Sequence, residues 1–192
     1  MDKLDVYLQS IGAPDLKKKF SAYYDMLIEW NNKFNLTAIT DKDEVYEKHF
    51  IDSMLGAEFI PKCANVCDIG SGAGFPAIPL AMLKSGAKFT AVDSLNKRIA
   101  FLKEVIAALD IDNCCACHSR AEDWARMHRE SYDVCVARAV APLNILAEYC
   151  LPLVKTGGIM LAYKGGDSDE EVNAARNAVD ILGGGKITVK KT

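Results

Sequence analysis

The sequence has no long hydrophobic run and no apolar leader. No stretch of 18 or more apolar residues occurs among its 192 residues, so the sequence predicts no membrane-spanning helix. The N-terminus, from Met1 to Asp5, is charged and lacks the apolar core of a secretory signal. These two absences predict a cytoplasmic protein without a membrane partner.

The sequence contains cysteines, but they show no spacing typical of disulfide pairs or of metal sites. The seven cysteines are an odd number and form no regular framework, which is typical of reduced thiols in a cytosolic protein. Cys114, Cys115 and Cys117 lie in a predicted strand, where alternate side chains point to opposite faces, and no second pair follows at zinc spacing. We therefore predict no metal site.

Positive charge is also scarce. The net charge is −3, with 7 lysines against 11 acidic residues in residues 1–60 and 16 basic against 15 acidic residues in residues 61–192. A nucleic-acid-binding protein usually has a basic surface. The composition therefore gives no reason to expect a DNA partner, and any contact with RNA must come from a local patch.

Two regions of different pattern meet near residue 60. Apolar side chains recur at helical spacings within residues 14–34, and a further helix is expected from Asp41 to about Phe59. Beyond Pro61, short apolar runs alternate with helical stretches, as in a mostly parallel, doubly wound sheet with helices on both faces. We predict a helical extension, 1–60, packed on an α/β core, 61–192, in one compact unit and by default a monomer.

The α/β pattern ends with a strand. The predicted strands are 65–69, 88–93, 113–117, 132–137, 158–163 and 186–190, and the predicted helices lie near 76–85, 95–109, 122–129, 141–154 and 168–182. A strand at the very end leaves an open sheet edge unless another strand follows. We therefore expect the natural chain to be longer and this one to be truncated at its C-terminal end.

The strongest local signal is the segment VCDIGSGAGFP, residues 66–76, in which an apolar strand leads into three glycines and a helix. Glycines allow a sharp turn and a close backbone approach to a ligand, and the helix offers free N–H groups. After the first strand of a doubly wound sheet, such a loop predicts a nucleotide-binding site.

The spacing of Gly70, Gly72 and Gly74 bears on which nucleotide binds. Dinucleotide-binding loops follow G-x-G-x-x-G, whereas this loop is G-x-G-x-G after an acid, Asp68. It resembles the first motif of S-adenosylmethionine-dependent methyltransferases, in which Asp68 would hold the cationic amino group, directly or through water. Asp93, at the end of the second strand, suits a ribose diol, but NAD has this diol too. An NAD-dependent oxidoreductase therefore stays open.

A more specific resemblance extends over nearly the whole chain. It is carried by the segments 30–37 (WNNKFNLT), 49–53 (HFIDS), 68–79 (DIGSGAGFPAIP), 93–94 (DS), 97–98 (KR), 120–122 (RAE), 137–139 (ARA) and 164–165 (KG). On these segments the chain resembles the glucose-inhibited division protein B family of 16S rRNA guanine-N7 methyltransferases. The N-L-T and H-x-x-D-S segments are the most specific, because most methyltransferases lack them.

The resemblance implies an S-adenosylmethionine-dependent enzyme with a Rossmann-like methyltransferase fold. It implies that the substrate is the guanine conventionally numbered 527 in 16S rRNA of the small ribosomal subunit. It also implies cofactor contacts at Gly70, Phe75, Ala121, Glu122 and Arg138, and in this fold the loop with Ala121 and Glu122 borders the adenine. A non-catalytic ribosome-binding module on the same fold is a further alternative.

The chemistry of guanine N7 indicates which catalytic residues to expect. N7 has an in-plane lone pair and no proton, so its attack on a sulfonium methyl group needs positioning and electrostatics rather than a general base. His49 and Asp52 share a helix face, and we predict that they shape the guanine site; the alternative is a structural pair that joins the helices to the sheet. Arg138, just past the fourth strand, is the third catalytic candidate.

The RNA patch is predicted from basic residues near the ends of strands and helices. Its members are Lys33, Lys97, Arg98, Arg138 and Lys164. Lys164 follows the fifth strand and is a candidate phosphate contact.

Overall fold

A computed structural model describes residues 1–166 and 169–191 of the chain. Within these residues, five parallel strands form one sheet in the order β3-β2-β1-β4-β5. The strands are β1 Asn65–Ile69, β2 Lys88–Asp93, β3 Cys114–His118, β4 Tyr132–Arg138 and β5 Val154–Tyr163. The order in which the strands are added reverses between β1 and β4. Doubly wound sheets bind their ligands at the carboxyl ends of the strands beside such a point.

Helices pack on both faces of the sheet. They are α1 Lys3–Ser10, α2 Lys17–Phe34, α3 Lys42–Val45, α4 Asp52–Met54, α5 Ala77–Leu83, α6 Asn96–Ala108, α7 Ala121–Met127, α8 Leu143–Cys150 and α9 Asp169–Ile181. A π-helical turn, Tyr46–Ile51, joins α3 to α4. We call residues 42–59 the third helical stretch, because a 3₁₀ turn, Leu55–Phe59, continues it after α4.

Local residue chemistry explains where the early helices begin and end. The Asp41 carboxylate accepts a hydrogen bond from the Glu44 N–H at 3.0 Å and caps α3. Asn35 ends α2 in the left-handed conformation, with φ of 48°, which asparagine tolerates better than most residues. The predicted start of the third helical stretch at Asp41 is thus confirmed.

The strands divide the hydrophobic interior into two layers. Alternate residues of β1 point to opposite faces, so Val66 packs beneath the N-terminal helices while Cys67 and Ile69 pack beneath α7 and α8. The layer around Val66 also contains Phe20 and Phe50 of the first 60 residues. Burial of one such aromatic side chain contributes about 2 kcal/mol, so these contacts bind the helices firmly to the sheet. The division at residue 60 stays a prediction.

The strand bounds agree closely with the sequence at the centre of the sheet and less well at its edge. β1 and β2 have the predicted bounds, β3 begins one residue later, and β5 begins at Val154 rather than Gly158. The helix predicted for residues 141–154 ends at Cys150. The predicted start of the last helix at residue 168 lies outside the described residues.

The strand predicted for residues 186–190 is wrong. Residues 184–191 form no strand, because Ile187 packs against the cluster of Leu143, Val172 and Ala175 instead of a strand neighbour. An ion pair between Lys190 and Glu58 brings the segment towards the third helical stretch. Among the described helices, none combines the length and apolar content that crossing a membrane requires.

Candidate functional site

A crevice of about 300 Å³ opens beside the carboxyl ends of β1, β2 and β4. Four of the residues predicted to bind the cofactor line it, namely Gly70, Asp93, Ala121 and Glu122. Arg98, predicted for RNA, lines the same crevice. Residues predicted for the cofactor thus meet at one cavity, and the cofactor and RNA roles of these residues stay predictions.

The glycine loop between β1 and α5 has left-handed backbone conformations at Gly70, Gly72 and Gly74, with φ of 73°, 58° and 97°. A Cβ at Gly70 would come within 2.6 Å of a Val140 methyl group on the β4–α8 loop. Both conformation and space therefore require glycine at this position.

The helical extension supports the loop from its other side. The Tyr23 hydroxyl of α2 donates a hydrogen bond to the Ala73 carbonyl. A Cβ at Gly74 would lie 2.4 Å from the Tyr23 hydroxyl oxygen. Tyr23 is fully buried, and its ring lies 5.5 Å from the ring of Phe75. Sequence reasoning missed Tyr23, which the helical periodicity of α2 marked only as an apolar position.

Asp93 ties the glycine loop to the end of β2. Its carboxylate accepts hydrogen bonds from the N–H groups of Gly72 and Leu95, both at 2.9 Å, and from Arg98 at 3.3 Å. A carboxylate has about four acceptor positions, so one remains for a ligand hydroxyl. The Arg98 guanidinium is therefore a partner of the predicted ribose-binding acid.

Asp68 lies behind the glycine loop and does not line the crevice. One carboxylate oxygen accepts a hydrogen bond from the Ala77 N–H at 3.2 Å, while the other, Oδ1, is buried without a partner. Burial raises the pKa of the Asp68 carboxyl to about 7, because the charged form is poorly solvated there. The role predicted for Asp68, holding the amino group of the cofactor, stays a prediction.

The three predicted catalytic residues form a second cluster, beside the crevice. The Arg138 guanidinium donates hydrogen bonds to the Asp52 carboxylate at 2.9 Å and to the Lys48 carbonyl at 3.1 Å, and it approaches His49 Nδ1 at 3.3 Å. It also lies 5.0 Å from the centre of the Phe75 ring. The shared face of His49 and Asp52 is confirmed, since both side chains reach the same guanidinium.

His49 lies on the π-helical turn, and its ring contacts Phe75 of the glycine loop and Arg138 at the end of β4. The ring stacks on Phe75 with 4.6 Å between centroids, and Nε2 lies 2.9 Å from the Thr37 hydroxyl. Burial, together with the positive charge of Arg138, lowers the pKa of His49 to about 4. The imidazole is therefore neutral at pH 7.

This cluster joins the third helical stretch to the end of β4, which is the structural alternative for His49 and Asp52. The Arg138 side chain is only 14% exposed, whereas that of Asp52 is 43% exposed. None of the three residues lines the crevice as such. Their contribution to a guanine site stays a prediction.

The other residues predicted to bind RNA differ in their exposure and partners, and the patch stays a prediction. Lys33 pairs with Glu29 at 2.9 Å on an exposed face of α2, and the Lys97 ammonium lies 5.0 Å from the Phe34 ring. Lys164 is turned inward, where it pairs with Glu171 at 2.6 Å and donates to the Ala141 carbonyl at 3.0 Å. Of these lysines, Lys33 and Lys97 are the exposed ones.

A parallel sheet with a glycine loop at the point where the strand order reverses, and an acid that ends the second strand, defines a Rossmann-like, nucleotide-binding α/β fold, and solved methyltransferases share it. A SAM-dependent methyltransferase from Aquifex aeolicus superposes with a TM-score of 0.57 at 18% identity, covering 78% of this chain and 86% of that one. A precorrin-6y C5,15-methyltransferase from Geobacter metallireducens superposes with a TM-score of 0.55 at 12% identity, covering 68% and 69%. At these identities the likeness shows the fold alone.

The chain belongs to the GidB family, rRNA small subunit methyltransferase G, whose family model matches residues 16–192. It is 48% identical over 176 residues to the ribosomal RNA small subunit methyltransferase G of Bacillus subtilis, which covers 90% of this chain and 74% of the relative. It is 50% identical over 176 residues to the protein of that name from Desulforamulus reducens, covering 90% and 73%. The family inferred from the sequence motifs is confirmed.

Proposed function

We propose that this chain is an enzyme that transfers a methyl group from S-adenosylmethionine to N7 of a guanine in 16S rRNA, the guanine conventionally numbered 527. The observation that carries the proposal is the family match over residues 16–192. We further propose that it acts as a monomer on RNA of the small ribosomal subunit in the cytoplasm, with neither DNA nor a membrane as partner.

The crevice residues fit this cofactor. Asp93 keeps a free acceptor position for a ribose hydroxyl, and the backbone at Gly70 has no Cβ that would block a close approach. The buried and unpartnered Oδ1 of Asp68 is suited to a cationic group near the loop, because burial without a partner is costly. Ala121 and Glu122 also line the crevice, where they would border an adenine.

When bound, S-adenosylmethionine supplies an electrophilic methyl group on a positively charged sulfur. The residues of this chain contribute position and charge. Arg138 is held by Asp52, the Lys48 carbonyl and His49, so its remaining N–H groups have a fixed orientation and would suit a guanine oxygen or a phosphate. The half-exposed carboxylate of Asp52 would supply negative charge to a guanine bound beside Arg138, which becomes positive on methylation.

The same fold could serve two other functions. The G-x-G-x-G spacing and the family match both disfavour an NAD-dependent oxidoreductase. A non-catalytic ribosome-binding module would use the same crevice without methyl transfer, so it is distinguished by experiment.

The test is transfer of labelled methyl groups by the purified chain to naked 16S rRNA, partly assembled small subunits and protein substrates, followed by nuclease digestion and mass spectrometry. We expect label in one RNA fragment, as N7-methylguanine. The variant Asp93→Asn, which keeps the shape but removes the charge, should weaken binding of S-adenosylhomocysteine and reduce transfer.

Three outcomes would contradict the proposal. Labelled protein with unlabelled RNA would reject the RNA substrate, and label at another base would reject the guanine. Binding of S-adenosylhomocysteine without transfer to any substrate would identify the non-catalytic module.

A further inference from the structure

A chain of hydrogen bonds connects the N-L-T segment of the sequence to Arg138. The Asn31 side-chain carbonyl accepts a hydrogen bond from the Thr37 N–H at 2.8 Å, and the Thr37 hydroxyl accepts one from the Ile39 N–H at 3.1 Å. The same hydroxyl lies 2.9 Å from His49 Nε2. Thr37 is therefore fixed on its backbone side and in contact with the imidazole on the other.

The position of the His49 proton decides how this chain of bonds continues. A neutral imidazole has one N–H and one acceptor nitrogen. Nδ1 has two neighbours, the Arg138 guanidinium at 3.3 Å, which can only donate, and the Lys48 carbonyl at 3.2 Å, which can only accept. These two contacts require opposite protonation of the same nitrogen.

The surroundings favour the tautomer with its proton on Nε2. A proton on Nδ1 would face the N–H groups of the positively charged Arg138, whereas the Lys48 carbonyl already accepts a hydrogen bond from Arg138 at 3.1 Å. With the proton on Nε2, the Thr37 hydroxyl accepts it and Nδ1 accepts from Arg138. The charged groups that face His49 are Arg138 at the end of β4 and Lys48 and Asp52 on its own helical stretch.

We propose that Thr37 is a positioning residue that acts through His49 on Arg138. The Thr37 hydroxyl keeps the His49 proton on Nε2, and the free Nδ1 then fixes one N–H of the guanidinium while Asp52 and the Lys48 carbonyl fix the other side. This inference rests on the proposed function, because it assigns Arg138 a defined orientation for methyl transfer. It gives the N-L-T and H-x-x-D-S segments one shared physical role.

Imidazole NMR tests the inference directly. The full chain, labelled with ¹⁵N, gives long-range ¹H–¹⁵N signals from His49, His118 and His128, which are assigned with the variants His118→Asn and His128→Asn. The same spectra are recorded for Thr37→Val, which keeps the shape and removes the hydroxyl, and for Thr37→Ser, which restores it. Thr40→Val is the matched control, because Thr40 lies exposed in the same segment and contributes its backbone carbonyl to Tyr24.

We expect the wild-type His49 signal at pH 7 to be that of the Nε2–H tautomer. Thr37→Val should give a mixture of tautomers and lower kcat for methyl transfer by about tenfold, because one hydrogen bond that orients His49 and Arg138 is lost. Binding of S-adenosylhomocysteine should change less than kcat. Thr37→Ser should restore both the tautomer and kcat, and Thr40→Val should change neither.

The inference is overturned if wild-type His49 carries its proton on Nδ1, or if Thr37→Val leaves the tautomer and kcat unchanged. Equal losses in Thr37→Val and Thr40→Val would also overturn it, since they would reflect a general disturbance of the segment. The wild-type spectrum decides the matter even if Thr37→Val does not fold. If no substrate is methylated, the proposed function fails, while the spectrum still tests the position of the proton.

Discussion

The pKa values of Asp68 and His49 are shifted in opposite directions by the same physical cause, which is burial. Burial raises the pKa of the acid to about 7 and lowers that of the base to about 4, because each charged form loses its hydration. Arg138 remains charged beside them and pairs with Asp52. Arg138 is therefore a fixed positive charge whose neighbours His49 and Asp68 are neutral, or partly so, near pH 7.

Asp68 gives the protein a distinctive dependence of stability on pH. Because its folded-state pKa lies above the ordinary value of 3.8, the folded protein binds more protons than the unfolded chain between these two values. The cost of the buried carboxylate is absent below pH 3.8 and fully present above pH 7. Between pH 5 and pH 8, wild type should lose about 2 kcal/mol more unfolding free energy than Asp68→Asn.

Urea unfolding at a series of pH values measures this difference. Asp133→Asn is the control, because Lys155 lowers the pKa of Asp133. Asp133 therefore titrates below pH 5 in both the folded and the unfolded protein. The pH profile of this variant should run parallel to that of wild type over pH 5 to 8. A parallel profile for Asp68→Asn as well would show that Asp68 is ionised at a normal pKa.

Individual site residues were predictable only where the sequence placed them in a local pattern. Gly70 and Asp93 follow apolar strands, and their positions at the crevice could be inferred from that alone. The pairing of His49 and Asp52 with Arg138 could not, because it depends on how a helical stretch packs against the end of a distant strand. Thr37 lay in a recognised motif, but its role requires the position of the His49 ring.

The glycine loop between β1 and α5 is tightly packed at Gly70 and Gly74 but has open space at Gly72 between them. A Cβ at Gly74 would meet Tyr23, Ile78 and Leu102 at 2.4, 2.7 and 3.0 Å, whereas the nearest atom to a Cβ at Gly72 is 3.9 Å away. Both residues have positive φ. Gly72→Ala thus carries backbone strain alone, and Gly74→Ala adds steric overlap with side chains of α2, α5 and α6.

We expect Gly72→Ala to lower the unfolding free energy by about 1 kcal/mol, the cost of a left-handed alanine. Gly74→Ala should lower it by about 3 kcal/mol, since overpacking adds to the same strain. Urea denaturation of the two variants measures the difference. Equal losses in both variants would mean that the side chains of α2, α5 and α6 move aside for the added methyl group.

Element prediction succeeded where local pattern determines the outcome. β1 and β2 are apolar runs bounded by turn residues, and their bounds were correct. β5 begins four residues early because Val154 pairs with Tyr132 ahead of an irregularity in the β4–β5 register, which only the neighbouring strand determines. Residues 186–190 alternate like a strand, but the apolar contacts of Ile187 are with helices.

For the whole molecule, the net charge of −3 limits RNA contacts to local groups. Lys97 is exposed and follows the crevice-lining segment Asp93–Ser94, whereas Lys18 is exposed near the start of α2. Lys97→Glu should weaken binding to 16S rRNA and reduce the salt slope of log K by about 1 to 2, because one phosphate contact is lost and a repulsion is added. The same charge change in Lys18→Glu should have little effect.

Filter binding or fluorescence anisotropy at several salt concentrations gives the slopes, and calorimetry with S-adenosylhomocysteine should show unchanged affinity in both variants. Equal RNA losses for Lys97→Glu and Lys18→Glu would indicate that only the overall charge matters. This pair of variants thus separates a local patch from a diffuse field.

The hydrogen bond from Tyr23 to Ala73 has a consequence for genetics. It joins a residue of the second helix directly to the glycine loop, although the two residues lie fifty positions apart in the chain. Alleles that abolish methylation should accordingly map to the first third of the coding region as well as to the glycine codons. A fragment that starts after residue 60 should be inactive however complete its own motifs are.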